Sequence, residues 1–96
     1  MIDLTVPEIS TATGTWSVLA VVHTSDGALI LGEQYDRDPD SFTLRYVVAF
    51  VPLVSASGDY ASEWSNGRYF DHDSTRRNRE AACAHFLSRV SDSLWS

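Results

Sequence analysis

Asp36, Asp38 and Asp40 alternate along the chain, the spacing with which a calcium-binding loop opens. An EF-hand loop also needs glycine at its sixth position and glutamate at its twelfth, where this chain has Ser41 and Val47. Pro39 and three carboxylates equally make a solvated connection between strands, and that is the reading adopted. Asp71-His72-Asp73, with His23 and His85 elsewhere, has the residue types of a metal site or an acid–base pair. Neighbours on an extended chain point to opposite faces, so His72 would turn away from both aspartates. Those aspartates are better explained as negative charge ahead of a helix N-terminus. Serine is abundant, but no Gly-x-Ser-x-Gly elbow is present, and no glycine-rich loop could cradle a phosphate. Cys83 falls on the apolar stripe of a helix, where cysteine behaves as a small core residue. No catalytic residue, metal or cofactor is expected, and the chain is read as non-enzymatic.

Binding chemistry is better represented. Arg76-Arg77-Asn78-Arg79, with Arg68 a short way upstream, is the one basic cluster. Arginines at a helix start oppose its macrodipole by about 0.3–1 kcal/mol each, a mild cost that hints at use. Trp64, Tyr69 and Phe70 stand beside them, and Trp, Tyr and Arg are the residue types that dominate interface hot spots. Trp64, Arg68, Tyr69, Phe70, Arg76 and Arg77 are therefore candidate partner-binding residues.

These residues need elements to hold them. Residues 1–13 read as an irregular arm in which Ile2, Leu4 and Val6 could add an edge strand before Pro7. Thr15 to His23 is rich in β-branched residues and reads as a strand. Asp26-Gly27 suits the two positive-φ positions of a tight hairpin, and Ala28 to Tyr35 returns. That turn would set Val22 against Leu31, Ala20 against Glu33, Val18 against Tyr35, His23 against Ile30 and Val21 against Gly32. Phe42 to Val51 is a third strand, and Gly67 to Asp71 a short fourth after an Asn66-Gly67 turn. A helix over 74–94 follows, capped by Ser74 or Thr75. Its stripe is Ala82, Cys83, Phe86, Leu87, Val90 and Leu94, with Arg79, Glu80, Arg89 and Asp92 opposite. The chain thus reads as one α+β domain, with an antiparallel meander of three to four strands over 14–71 and one C-terminal helix on one sheet face.

One helix covers one face, yet the first and third strands are apolar on both. Leaving several such side chains in water forgoes roughly 1.5–3 kcal/mol each. The second face, with Val47 and Val51, is therefore expected to be covered by the arm, the loop bearing Trp64, a second copy in a homodimer, or a partner. Val47 and Val51 join the candidate partner-binding residues on that ground.

The 96 residues hold thirteen acids and seven basic residues, all arginine, for a net charge of −6. That balance disfavours nonspecific contact with nucleic acid or anionic membranes. The longest apolar run, about nine residues, is short of the roughly 20 a membrane helix needs. A single cysteine and an N-terminus without a secretory pattern fit a cytoplasmic protein. The lack of lysine, with three isoleucines and two asparagines, points to a GC-rich genome such as an actinobacterium or one of its phages. In size and composition the chain is similar to small actinobacteriophage accessory proteins, which implies a role in binding or inhibiting a host protein. The alternative is a nucleic-acid-linked role. Glu33, Asp36, Asp38 and Asp40 would then imitate a phosphate row toward a DNA-binding enzyme, or the arginine cluster would touch RNA.

Overall fold

The computed structural model describes residues 2, 4–12, 14–35, 43–55 and 58–95. Five strands run β1 (Glu8–Thr11), β2 (Gly14–Thr24), β3 (Gly27–Tyr35), β4 (Leu44–Pro52) and β5 (Ser65–Phe70), followed by helix α1 (Thr75–Trp95). They form one antiparallel sheet in chain order, β1-β2-β3-β4-β5. The fold is therefore an α+β meander, with five strands in place of the three or four expected. The additional strand lies after Pro7, not before it, and pairs with the start of β2 from Glu8↔Ser17 to Thr11↔Gly14. Asp36 to Ser41 lie outside the described residues, so the calcium-like spacing and most of the acidic row have no structural description.

The β2–β3 turn falls one residue earlier than the sequence predicts. Thr24 pairs with Gly27, which makes Ser25-Asp26 the loop, and Val22 faces Leu29, not Leu31. A shift of two in the pairing sum keeps the side chains of residues 20–24 on their expected faces. Gly27 serves packing and not a positive φ. A Cβ there would stand 2.8 Å from the Phe50 ring and collide with the carbonyl oxygen of Val51. The Leu53 amide donates to Asp26 O at 2.8 Å and ties the turn to the end of β4.

Farther along β2 the pairing slips between Val18 and Ala20, so that Ala20 faces Leu31 and Val18 faces Gly32. Leu19 is the extra residue of a β-bulge, and an insertion of one residue reverses the face of everything before it. This resolves the crowding implied by two apolar faces. Ala20 and Val22 stay on the helix side with Leu29, Leu31, Tyr46, Val48, Ala82 and Phe86. Trp16 and Val18 cross to the other side and join Val21, Ile30, Val47, Ala49 and Val51.

That second face is covered by the chain itself. Ile2 and Leu4 of the arm, with Tyr60 and Trp64 of the loop after β4, pack over it. The Ile2 amide donates to Ala61 O at 3.0 Å and the Ala61 amide to Pro52 O at 2.9 Å, joining arm, loop and sheet. Val47 and Val51 are 0% exposed. The expectation that these two meet a partner is corrected on that ground: intramolecular cover already removes their apolar surface from water.

Ser74 caps α1, its Oγ accepting from the Arg77 amide at 3.3 Å and its carbonyl from the Asn78 amide at 2.8 Å. The helix packs against β4, β3 and β5. A helix about 10 Å across spans only part of a five-stranded sheet roughly 19 Å wide, and Ala20 and Val22 of β2 are only partly buried beside it. Ala82 and Phe86 are buried, but Leu87, expected on the apolar stripe, is 65% exposed. No helix among the described residues is long and apolar enough to cross a membrane.

Candidate functional site

β5 alternates across the sheet. Tyr69 belongs to the arm-covered side and Phe70 to the helix side. Arg68 shares the side of Phe70, its guanidinium carbon 5.4 Å from the ring centre. The helix brings His85 to the same place, 5.7 Å from the Phe70 ring at a tilt of 52°. Burial, then the nearby positive charges of Arg68 and Arg89, push the His85 imidazole below its ordinary value of 6.5.

Arg89 completes the cluster through the backbone. The β4–β5 pairing is irregular between Val48 and Phe50, and Asn66 opposite has a left-handed φ of 52°. The Arg89 guanidinium donates through Nη1 to the Asn66 carbonyl at 2.9 Å and the Val48 carbonyl at 3.3 Å. It thereby satisfies backbone acceptors where the ladder is disturbed. Burial lowers the pKa of Arg89 from its ordinary value. Arg89 was expected on the side of the helix away from the sheet; it instead borders the packed stripe three residues past Phe86. Among the described residues neither Arg68, His85 nor Arg89 takes part in an ion pair.

On the arm-covered side of β5 the aromatics are organised around Trp16. Trp64 meets it edge-on with ring centres 5.7 Å apart, and Tyr69 lies 5.8 Å away. The Trp64 indole donates to the Tyr69 hydroxyl at 3.1 Å. Both outer rings are half-buried, each with one side on the core and one toward solvent.

The eight residues proposed from sequence therefore do not make one patch. Trp64 and Tyr69 lie on one side of β5, and Arg68 and Phe70 on the other. Val47 and Val51 lie inside. Arg76 and Arg77 stand at the start of α1, bonded to Glu80 at 3.1 Å and Asp73 at 3.7 Å. The ordinary reading of the arginine run, local pairing with acids, accounts for these two. Arg79, still exposed, donates to the Tyr46 hydroxyl at 3.0 Å, which donates to Glu33 at 2.6 Å. His85 and Arg89 were missed. Their i,i+4 spacing is visible in the sequence and puts them on one flank of the helix. What the sequence lacked was the placement of β5 beside that flank.

Other chemistry is sparse. No group of three or more His, Cys, Asp or Glu among the described residues could hold a metal ion. His72 pairs with Asp71 at 3.3 Å, and Asp73 Oδ1 accepts from the Ser74 amide at 2.8 Å in the helix cap. His23 shares a 2.9 Å hydrogen bond with Tyr60. A groove of about 610 Å³ runs between the β2–β3 hairpin and the last turns of α1, with Val22, Leu29 and Phe50 along it and His23, Asp26 and Asp92 among its polar groups. Compared with protein-family models, curated proteins and solved structures, the chain matches none.

Proposed function

We propose that this chain is a non-enzymatic protein-interaction module whose partner meets it along the seam between β5 and α1. The observation that carries this reading is the convergence of Arg68, His85 and Arg89 beside β5, none of them in an ion pair among the described residues. Cationic or protonatable groups held together repel one another. Arg89 shares the hairpin groove with Asp26 and Asp92, while Arg68 and His85 stand at the Phe70 ring with no ion pair among the described residues. An anionic partner surface would supply the missing charge and steer encounter. Phe70 lies among the cations, and Tyr69 and Trp64 offer ring surface across the strand, the residue types of interface anchors.

The nucleic-acid alternative has less support. Arg76 and Arg77 are engaged by acids of their own helix segment, and Glu33 is held by Tyr46 and Arg79. A homodimer through the second sheet face is likewise unsupported, since the arm and loop already cover that face. Composition favours a cytoplasmic accessory protein, of phage origin in a GC-rich host, that binds or inhibits a host protein. The test is capture from an actinobacterial lysate by immobilised wild-type chain, by Arg68→Glu and by Arg76→Glu. A host protein retained by the wild type and Arg76→Glu, and lost by Arg68→Glu, supports the reading. A protein retained equally by all three, or nucleic acid alone, overturns it.

A further inference from the structure

Resting on that reading, we infer that the partner contributes an extended segment of alternating acidic and apolar residues, which adds to the free edge of β5 as a sixth strand. Sheet order leaves β5 with a strand neighbour on one side only, among the described residues. Past the irregularity, Arg68, Tyr69 and Phe70 pair regularly with Val48, Val47 and Tyr46, so this stretch has the ordinary pleat an added strand requires. Side chains of an added strand would alternate between the two sides of the sheet, as those of β5 do. On the helix side they would meet Arg68 and His85 around the Phe70 ring, with Arg89 bonded to the Asn66 carbonyl at the start of β5; on the other they would meet Tyr69 and Trp64. The first set calls for carboxylates and the second for apolar or aromatic groups.

The opposite edge does not offer this chemistry. β1 is four residues long, begins with Glu8 and carries no cation. Isolated charge on an edge strand commonly serves to keep edges apart. Here the cations come from two elements and converge, and Arg89 is anchored by two carbonyls before any partner arrives, which lowers the ordering cost of binding. Asp71, the acid next to Phe70, is paired with His72; Asp26 and Asp92 line the hairpin groove with Arg89, which leaves Arg68 and His85 as the groups most open to a partner's carboxylates.

The experiment is a titration of the isotopically labelled full chain with three capped peptides of about seven residues. One alternates glutamate with valine, one alternates lysine with valine, and one is the glutamate peptide N-methylated at every second amide. The glutamate peptide is expected to bind, with the largest amide shifts at Gly67 to Phe70 and a rise in the His85 titration midpoint as carboxylates approach. N-methylation, or Arg68→Glu or Arg68→Gln in the chain, should each weaken binding at least tenfold. Arg68 is exposed, so retention of the wild-type spectrum away from β5 verifies folding. Equal binding of glutamate and lysine peptides, indifference to N-methylation, largest shifts outside β5, or no binding would each overturn strand addition. If the peptide fails while Arg68→Glu still abolishes capture of the host protein, the interaction reading stands and only the sixth strand falls. If capture survives Arg68→Glu, the reading itself falls.

Discussion

Tyr46 shows how a single polar group fixes a core. Its ring is fully buried, and its hydroxyl donates to Glu33 while accepting from Arg79. Burial first, then the carboxylate of Glu33, raises the pKa of this phenol, with Arg79 opposing them. Tyr46→Phe leaves Glu33 without its donor and should cost about 1–3 kcal/mol, measured by urea unfolding. Trp16→Ala removes the ring on which Trp64 and Tyr69 rest. It should cost about 3–5 kcal/mol, half or more of the roughly 5–10 kcal/mol a domain of this size commands. His85 titrates below its ordinary value in the folded state, so between the folded and unfolded midpoints the unfolded chain binds more protons. Stability should therefore fall as pH is lowered through about 6.5. His85→Gln should flatten that part of the curve, as thermal midpoints at a series of pH values would record.

At the scale of elements, two irregularities do most of the arranging. The bulge at Leu19 sends Trp16 and Val18 to the arm-covered side, while Ala20 and Val22 stay on the helix side. Deleting Leu19 would restore regular alternation and drive Trp16 toward the helix. Loss of cooperative unfolding is expected, with dye-binding apolar surface as the readout. The junction of β4 and α1 depends on Asn78, 3% exposed, whose amide nitrogen donates to the carbonyls of Leu44 and Asp73 and whose oxygen accepts from the Asp73 amide. Asn78→Ala should cost roughly 2 kcal/mol through orphaned backbone groups. The run Arg76-Arg77-Asn78-Arg79 invited attention to its charges, but its structural centre is the uncharged residue.

For the whole molecule the arm is the decisive piece. A sheet with one helix would expose an apolar face, and the chain closes it with Ile2, Leu4, Tyr60 and Trp64. Ile2→Asp would put a charge into that cover and should destabilise by about 3 kcal/mol. Because the face beneath is continuous, the same variant should also self-associate, visible as a concentration-dependent sedimentation coefficient.

The strands at 14–24, 27–35 and 44–52 and the capped C-terminal helix were legible because hydrophobic period, β-branched content and cap residues are local signals. So was the prediction that a second apolar face needed a cover. The sequence by itself also determined the excess of acid and the absence of any recognisable catalytic spacing. Tertiary structure alone decided which cover was used, because the arm and the loop after β4 lie far apart in the sequence and meet only over that face. It also decided the phase of β2, since a one-residue bulge leaves no mark in a run as uniformly apolar as Val18-Leu19-Ala20-Val21-Val22. The grouping of Arg68, His85 and Arg89 has the same origin. Arg68 and Arg89 lie 21 positions apart in the sequence, and only the packing of α1 beside β5 brings their charges together.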